Sequence, residues 1–248
     1  MDTFKKKIVV GDIVVDIVRK DVKNLHLRVR PPKGNVDVVV PYRVTDYSLR
    51  SFLISKFDWM KRHQLKFQLL QTQPEPEFVS GENHLYQGKF YQLNVIYYDA
   101  PPKVEIRDDS CMDLYVRPGS NQLHREKAVD QWYRSQLKEK VPHLMEKWKY
   151  VVGVEPKGWG IKKMKTRWGS CNRRDKRIWL NLELAKKPAY CLEFIIVHEL
   201  THLLERLHNE RFRSLMDYFM PEWRCYKEEL NRAVTLPGEF IQVIASGR

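Results

Sequence analysis

Phe194-Ile195-Ile196-Val197-His198-Glu199-Leu200-Thr201-His202-Leu203-Leu204 is an apolar run broken by two histidines and one glutamate. At about 100° per residue, side chains four apart share one face of a helix. His198 and His202 can therefore hold one metal ion between them. Glu199 stands close enough to take a proton from a metal-bound water. The alternative, a solvated pair of histidines, fits poorly with a helix that is apolar on nearly every side, because unpaired polar groups are costly there.

His208 is the candidate third ligand, six residues beyond His202. On one continuous helix it would face away, so it joins the site only if the helix ends between Leu204 and Leu207. The residues that follow permit this. Asn209 suits a helix cap and Glu210 a first turn. Phe212, Leu215, Met216 and Phe219 then recur at helical spacing until Pro221 interrupts them. Otherwise His208 is an exposed loop histidine. Metzincins share the spacing but carry glycine midway, where this chain has Glu205, which sets it apart from them.

A chain of 248 residues, 43% hydrophobic and 12% aromatic, can bury a core in one or two domains and is not a disordered one. No apolar stretch is long enough to span a membrane, and the charged start is no signal peptide. Cys111, Cys171, Cys191 and Cys225 form no C-x-x-C pair, so reduced thiols in a cytoplasm are expected rather than a cysteine-based zinc site. The net charge of +13 is uneven. Lys162, Lys163, Lys165, Arg167, Arg173, Arg174, Lys176 and Arg177 face one acid, Asp175, with Trp159, Trp168 and Trp179 nearby. This mixture can bind phosphates and stack bases, or it can be a solvated hairpin whose tryptophans turn inward.

Alternating residues predict strands near 8–10, 13–18, 25–30 and 36–40, then a helix capped by Asp46 and continuing to Phe67. Gln73-Pro74-Glu75-Pro76-Glu77 reads as a linker. Strands resume at Tyr86, Leu93, Val104 and Leu114, and a long helical region follows in which Pro142 should start or kink a segment. Ile161 to Cys171 and Arg177 to Asn181 read as the two arms of a hairpin. Pro188 suits the first turn of the histidine-bearing helix. A sheet edge beside such a helix is a natural place for an extended substrate. The expected organisation is a β-rich region with one helix over 1–118, a catalytic domain over 119–236 and a tail over 237–248.

Taken in order, Arg167-Trp168-Gly169-Ser170-Cys171, Leu180-Asn181, His198-Glu199-Leu200-Thr201-His202-Leu203, His208-Asn209-Glu210-Arg211-Phe212 and Pro221-Glu222-Trp223 resemble the YgjP-like metallopeptidase family, itself similar to the WLM and SprT-like zinc proteases. Where the family usually has Asn before the third histidine, this chain has Leu207. The resemblance spans nearly the whole chain. It implies an α+β fold with a zincin-like core, one Zn2+ on His198, His202 and His208, and Glu199 as general base. It leaves the substrate open between a peptide and a nucleotide. Some members are described as nucleoside-triphosphate pyrophosphatase-like, and a zinc-stabilised nucleic-acid-binding protein without activity is a third possibility. Arg167, Ser170, Arg173 and Arg174 are the candidate substrate-binding residues.

Overall fold

The computed structural model describes residues 5–30, 33–71, 76–165, 167–232 and 241–246. The class is mixed α+β, as expected, in two compact units: residues 1–75 with 235–248, and residues 76–234. Among the described residues, no helix is long and apolar enough to cross a membrane.

The first unit contains β1 (Lys5–Val10), β2 (Ile13–Lys20), β3 (Asn24–Arg30), β4 (Asn35–Pro41), α1 (Asp46–Ser55), α2 (Phe57–Gln71) and a C-terminal strand, β12 (Ile241–Ser246). The sheet order is β1-β2-β4-β3-β12, with β2 and β4 parallel and the other pairs antiparallel. Strand periodicity sends every second residue inward. Ile13, Val15, Ile17, Leu25, Leu27, Val29, Val36, Val38 and Val40 are buried in this way, together with Leu49, Leu53 and Met60 of the helices. Gly11 turns β1 into β2 at φ +61, and a Cβ there would lie 2.6 Å from the Phe57 ring.

Two details differ from the expectation. The cap is Thr45, whose side chain accepts from the Ser48 N–H, and Asp46 opens the first turn. The single long helix is two helices, broken at Lys56, whose φ of −107 and ψ of 9 leave the helical region.

The second unit begins with β5 (Asn83–Tyr86), β6 (Lys89–Tyr97), β7 (Lys103–Ile106) and β8 (Cys111–Val116), ordered β5-β6-β8-β7. Helix α3 (Gln122–Val152) is capped by Asn121 and runs unbroken through Pro142 to Gly153, which ends it at φ 72. It buries Val129, Tyr133, Leu137, Val141 and Met145, one stripe four residues apart. The Tyr133 hydroxyl donates to the Leu85 carbonyl at 2.6 Å. Next come β9 (Gly158–Lys162), β10 (Gly169–Asn172), β11 (Arg177–Asn181), a 3-10 turn over Leu182–Lys186, α4 (Ala189–Leu204), α5 (Glu210–Phe219) and α6 (Trp223–Arg232).

Their sheet is ordered β10-β11-β9. β10 and β11 form the expected antiparallel hairpin, Ser170 opposite Trp179. The first arm does not extend back to Ile161, however. That segment is β9, parallel to β11 on its far side, with Ile161 opposite Leu180. The chain between them crosses from one edge of the sheet to the other.

The units also divide the chain differently from the sequence. Strands β5–β8 fall with the second unit, so the boundary lies at 75/76 rather than 118/119. Tyr133 of α3 reaching Leu85 of β5 is one reason, since it ties this sheet to the helix that follows. Residues 241–246, expected as part of a tail, pair with β3. The expected linker lies largely outside the described residues.

Candidate metal centre

Helix α4 is buried on most sides, and Phe194, Ile196, Val197 and Leu200 are almost inaccessible. Into this apolar setting it carries His198, Glu199 and His202. It stops at Glu205, whose φ of −132 and ψ of 124 are extended backbone. A residue with a side chain adopts that conformation freely, so no glycine is needed at this turn. Leu207 N–H donates to the Glu205 carboxylate at 3.1 Å. The Asn209 side chain accepts from Phe212 N–H at 3.0 Å and opens α5. His208 thus lies between two helices and turns back toward the first.

The three imidazoles converge. Nε2 of His208 lies 3.0 Å from Nε2 of His202 and 3.0 Å from Nε2 of His198. Phe212, buried at the start of α5, packs its ring against all three at centroid distances of 4.7–5.0 Å. Nδ1 of His202 lies 3.0 Å from the Glu205 carbonyl. A proton on Nδ1 donates there and leaves the Nε2 lone pair pointing at the other rings. Burial, then the two neighbouring histidines, pushes His198 down to about 3. Burial also lowers His202 and His208. All three are therefore neutral at pH 7.

With the ring protons on Nδ1, all three Nε2 lone pairs would face one point, where a cation would take the place of the contacts between rings. Ligands about 2.1 Å from a tetrahedral ion stand roughly 3.4 Å apart, close to the spacing here. The donor set fits a metal, and among the described residues this is the cluster able to hold one.

Glu199 is 4% exposed, and burial pushes its carboxyl up to about 8, against a smaller opposing pull from Arg167. Gly169 of β10 lies directly against it. A Cβ at that position would stand 2.6 Å from Glu199 Oε1 and 2.9 Å from Ile195 Cγ2. The glycine of the Trp-Gly-Ser stretch is therefore a matter of space for the glutamate.

A cleft of about 1120 Å³ opens over these residues. Arg167, Ser170, Arg173 and Arg174, the candidate substrate-binding residues, all line it, as do His198, Glu199, His202 and His208. Trp168 is a buried part of the same wall. Strand β10 is an edge of its sheet. Three of the other basic residues have partners elsewhere. Lys163 bonds Glu126 and Asp130, and Lys162 and Arg177 lie over the Trp179 ring at 3.4 and 4.8 Å.

Sequence reasoning missed two residues of the cleft and the role of Asn181. Arg206 and Lys227 reach the cleft from beyond α4 and from α6. No local pattern marks either, because tertiary packing places them. Asn181 is fully buried and uses its whole side-chain amide. It donates to the Met164 and Arg167 carbonyls at 2.9 and 2.7 Å and accepts from Met164 and Glu183 N–H. It thereby holds the loop that leads Arg167 and Trp168 into β10.

The profile described as YgjP-like, metallopeptidase domain, matches residues 23–233. No curated protein matches the chain. Among solved structures, the metallopeptidase zymogen abylysin of Pyrococcus abyssi is similar at 24% identity, covering 37% of this chain and 90% of that one, with a TM-score of 0.32. The chain belongs to the YgjP-like metallopeptidase-domain family, whose members' activity is metal-dependent.

Proposed function

We propose that this YgjP-like protein is a zinc peptidase in which His198, His202 and His208 hold the metal and Glu199 is the general base. The observation that carries the reading is the convergence of three neutral imidazoles beside a buried carboxyl group. On this reading α4 and the adjoining strand β10 would form the zincin-like core. A bound zinc would lower the pKa of a water and polarise the scissile carbonyl.

The chain's own residues do the remaining work. Glu205 fixes the tautomer of His202 through its carbonyl. Phe212 keeps the three rings in place from behind. Burial raises the Glu199 carboxyl, whereas a dication held by the neighbouring imidazoles would draw it back toward the ionised form. Ionised Glu199 takes a proton from the attacking water and delivers it to the amine nitrogen as the C–N bond breaks. The edge strand β10 offers backbone groups to an extended peptide.

A second reading keeps the metal and changes the bond to a nucleotide phosphoanhydride. The arginines in the cleft favour it, because they suit a polyphosphate. The test is metal analysis of the purified chain followed by a panel of peptides and nucleoside triphosphates. One zinc per chain and peptide cleavage support the peptidase. Triphosphate cleavage without peptide cleavage replaces it with the second reading, and no bound metal removes both.

A further inference from the structure

The walls of the cleft are charged in one sense. Arg167, Arg173, Arg174, Arg206 and Lys227 line it, and Glu199 is the sole acid among the lining residues. Glu199 lies at the buried end, whereas the five cations are exposed. They come from separate parts of the chain: the loop before β10, the turn between β10 and β11, the segment after α4, and α6. A lysine-rich stretch of sequence does not explain this convergence.

Elsewhere in the same unit several cations pair with acids, although others, Lys89 and Lys138 among them, stand in no ion pair among the described residues and are scattered over the surface rather than gathered in a cleft. Lys147 pairs with Glu193, Lys149 with Glu146 and Glu155, Lys163 with Glu126 and Asp130, and Lys186 with Glu183. Arg167, Arg173, Arg174 and Arg206 take part in no ion pair among the described residues. Apart from the pull of Arg167 on Glu199, their charge is left to solvent or to whatever enters the cleft.

Taken with the edge strand, the geometry points to a peptidase selective for acidic substrates: an extended peptide carrying Asp or Glu on both sides of the scissile bond. This rests on the peptidase reading above and adds the substrate class to it. An extended chain laid along β10 turns alternate side chains to the same side. Acidic side chains there meet a rim of guanidinium groups able to form bidentate pairs with carboxylates. Basic side chains meet like charges, so the same rim rejects them. Lysine side chains on the peptide find no carboxylate in the cleft except Glu199.

The test uses the full chain loaded with zinc and three fluorogenic peptides. They are identical except for residues flanking the scissile bond, which are Glu, Ala or Lys. We expect kcat/KM for the Glu peptide to exceed that for the Ala peptide about tenfold, the sum of a few exposed ion pairs. The Lys peptide should fall below both. The Glu preference should shrink toward one near 1 M salt, where screening acts within about 3 Å. The double variant Arg174→Ser, Arg206→Ser should lose most of the Glu-to-Ala ratio. Lys89→Ser with Lys138→Ser, the same charge change outside the cleft, should keep it.

Equal rates for the three peptides, with clear cleavage of all, would overturn the selectivity and leave the peptidase standing. So would a Glu preference that survives in the arginine variant. Cleavage of no peptide, alongside hydrolysis of a nucleoside triphosphate, would overturn both and assign the cations to phosphate.

Discussion

The two units of this protein bury very different things. The first unit has a core of valine, leucine, isoleucine and methionine, and among its described residues no charged or polar side chain is buried. The second unit buries His84, Asp113, Asn181, Glu183, Lys187, Glu199 and Thr201. An apolar core gains stability from area removed from water and has few polar groups to satisfy. A core holding polar groups must satisfy each one by a hydrogen bond, a charge or a metal. Asn181 meets that condition through four bonds. Glu199 instead keeps a carboxyl that burial pushes up to about 8, and the three imidazoles turn their Nε2 atoms on one another. The second unit gives up stability where it gains a site.

The largest effect is expected from His208→Ala, which should weaken zinc binding by at least about a hundredfold, since even outer partners of a metal site contribute 10–100-fold. Unchanged affinity, measured against a competing chelator, would take His208 out of the site. In the first unit, Leu27→Ala empties a fully buried position and should cost about 2–5 kcal/mol of stability. Zinc affinity should stay as it was, and a parallel loss would mean that the two units do not differ in the way described.

Gly169→Ala tests the wall behind the glutamate. A methyl 2.6 Å from Oε1 must displace Glu199, so kcat should drop about a hundredfold with zinc retained. Wild-type kcat would show that the contact relaxes without consequence.

The smallest effect concerns metal-free protein and separates Glu199 from its surroundings. A folded-state pKa of about 8, above the unfolded value, means that folding holds this proton more tightly. That contribution is fully present below about pH 4.5 and fades as pH rises to about 8. Metal-free Glu199→Gln should therefore melt above wild type at pH 8.5 and show no such gain at pH 4.5. His198 acts in the opposite sense. Its folded value of about 3 is depressed, so the stability of keeping it neutral is present above about 6.5 and lost as pH falls toward 3. An equal melting difference for Glu199→Gln at both pH values would mean that the buried carboxyl is not the cause.

Legibility from sequence followed the range of the interactions. His198, His202 and His208 stood out because their spacing is local and Asn209 with Glu210 signals the helix start that brings the third ring back. The β1–β4 strands were legible for the same reason, since alternation is written into neighbouring residues. The parallel pairing of β9 with β11 was not, because the segment before β10 looks like a continuous hairpin arm and only the crossover reveals otherwise. The break at Lys56 has no glycine or proline to announce it. Arg206 and Lys227 needed the packing of α4 and α6 before their place in the cleft could be known. Glu205 shows the reverse case: a side chain where metzincins have glycine set the chain apart, and its extended backbone supplies the reason.

The most direct test of the central claim is turnover by zinc-loaded Glu199→Gln on a peptide that the wild type cleaves. Glutamine keeps nearly the same shape and cannot accept the proton. One zinc per chain and a fall in kcat of about 10²–10⁴-fold are expected, the usual contribution of a positioned general base. Turnover within a few-fold of wild type, with zinc bound, would contradict it.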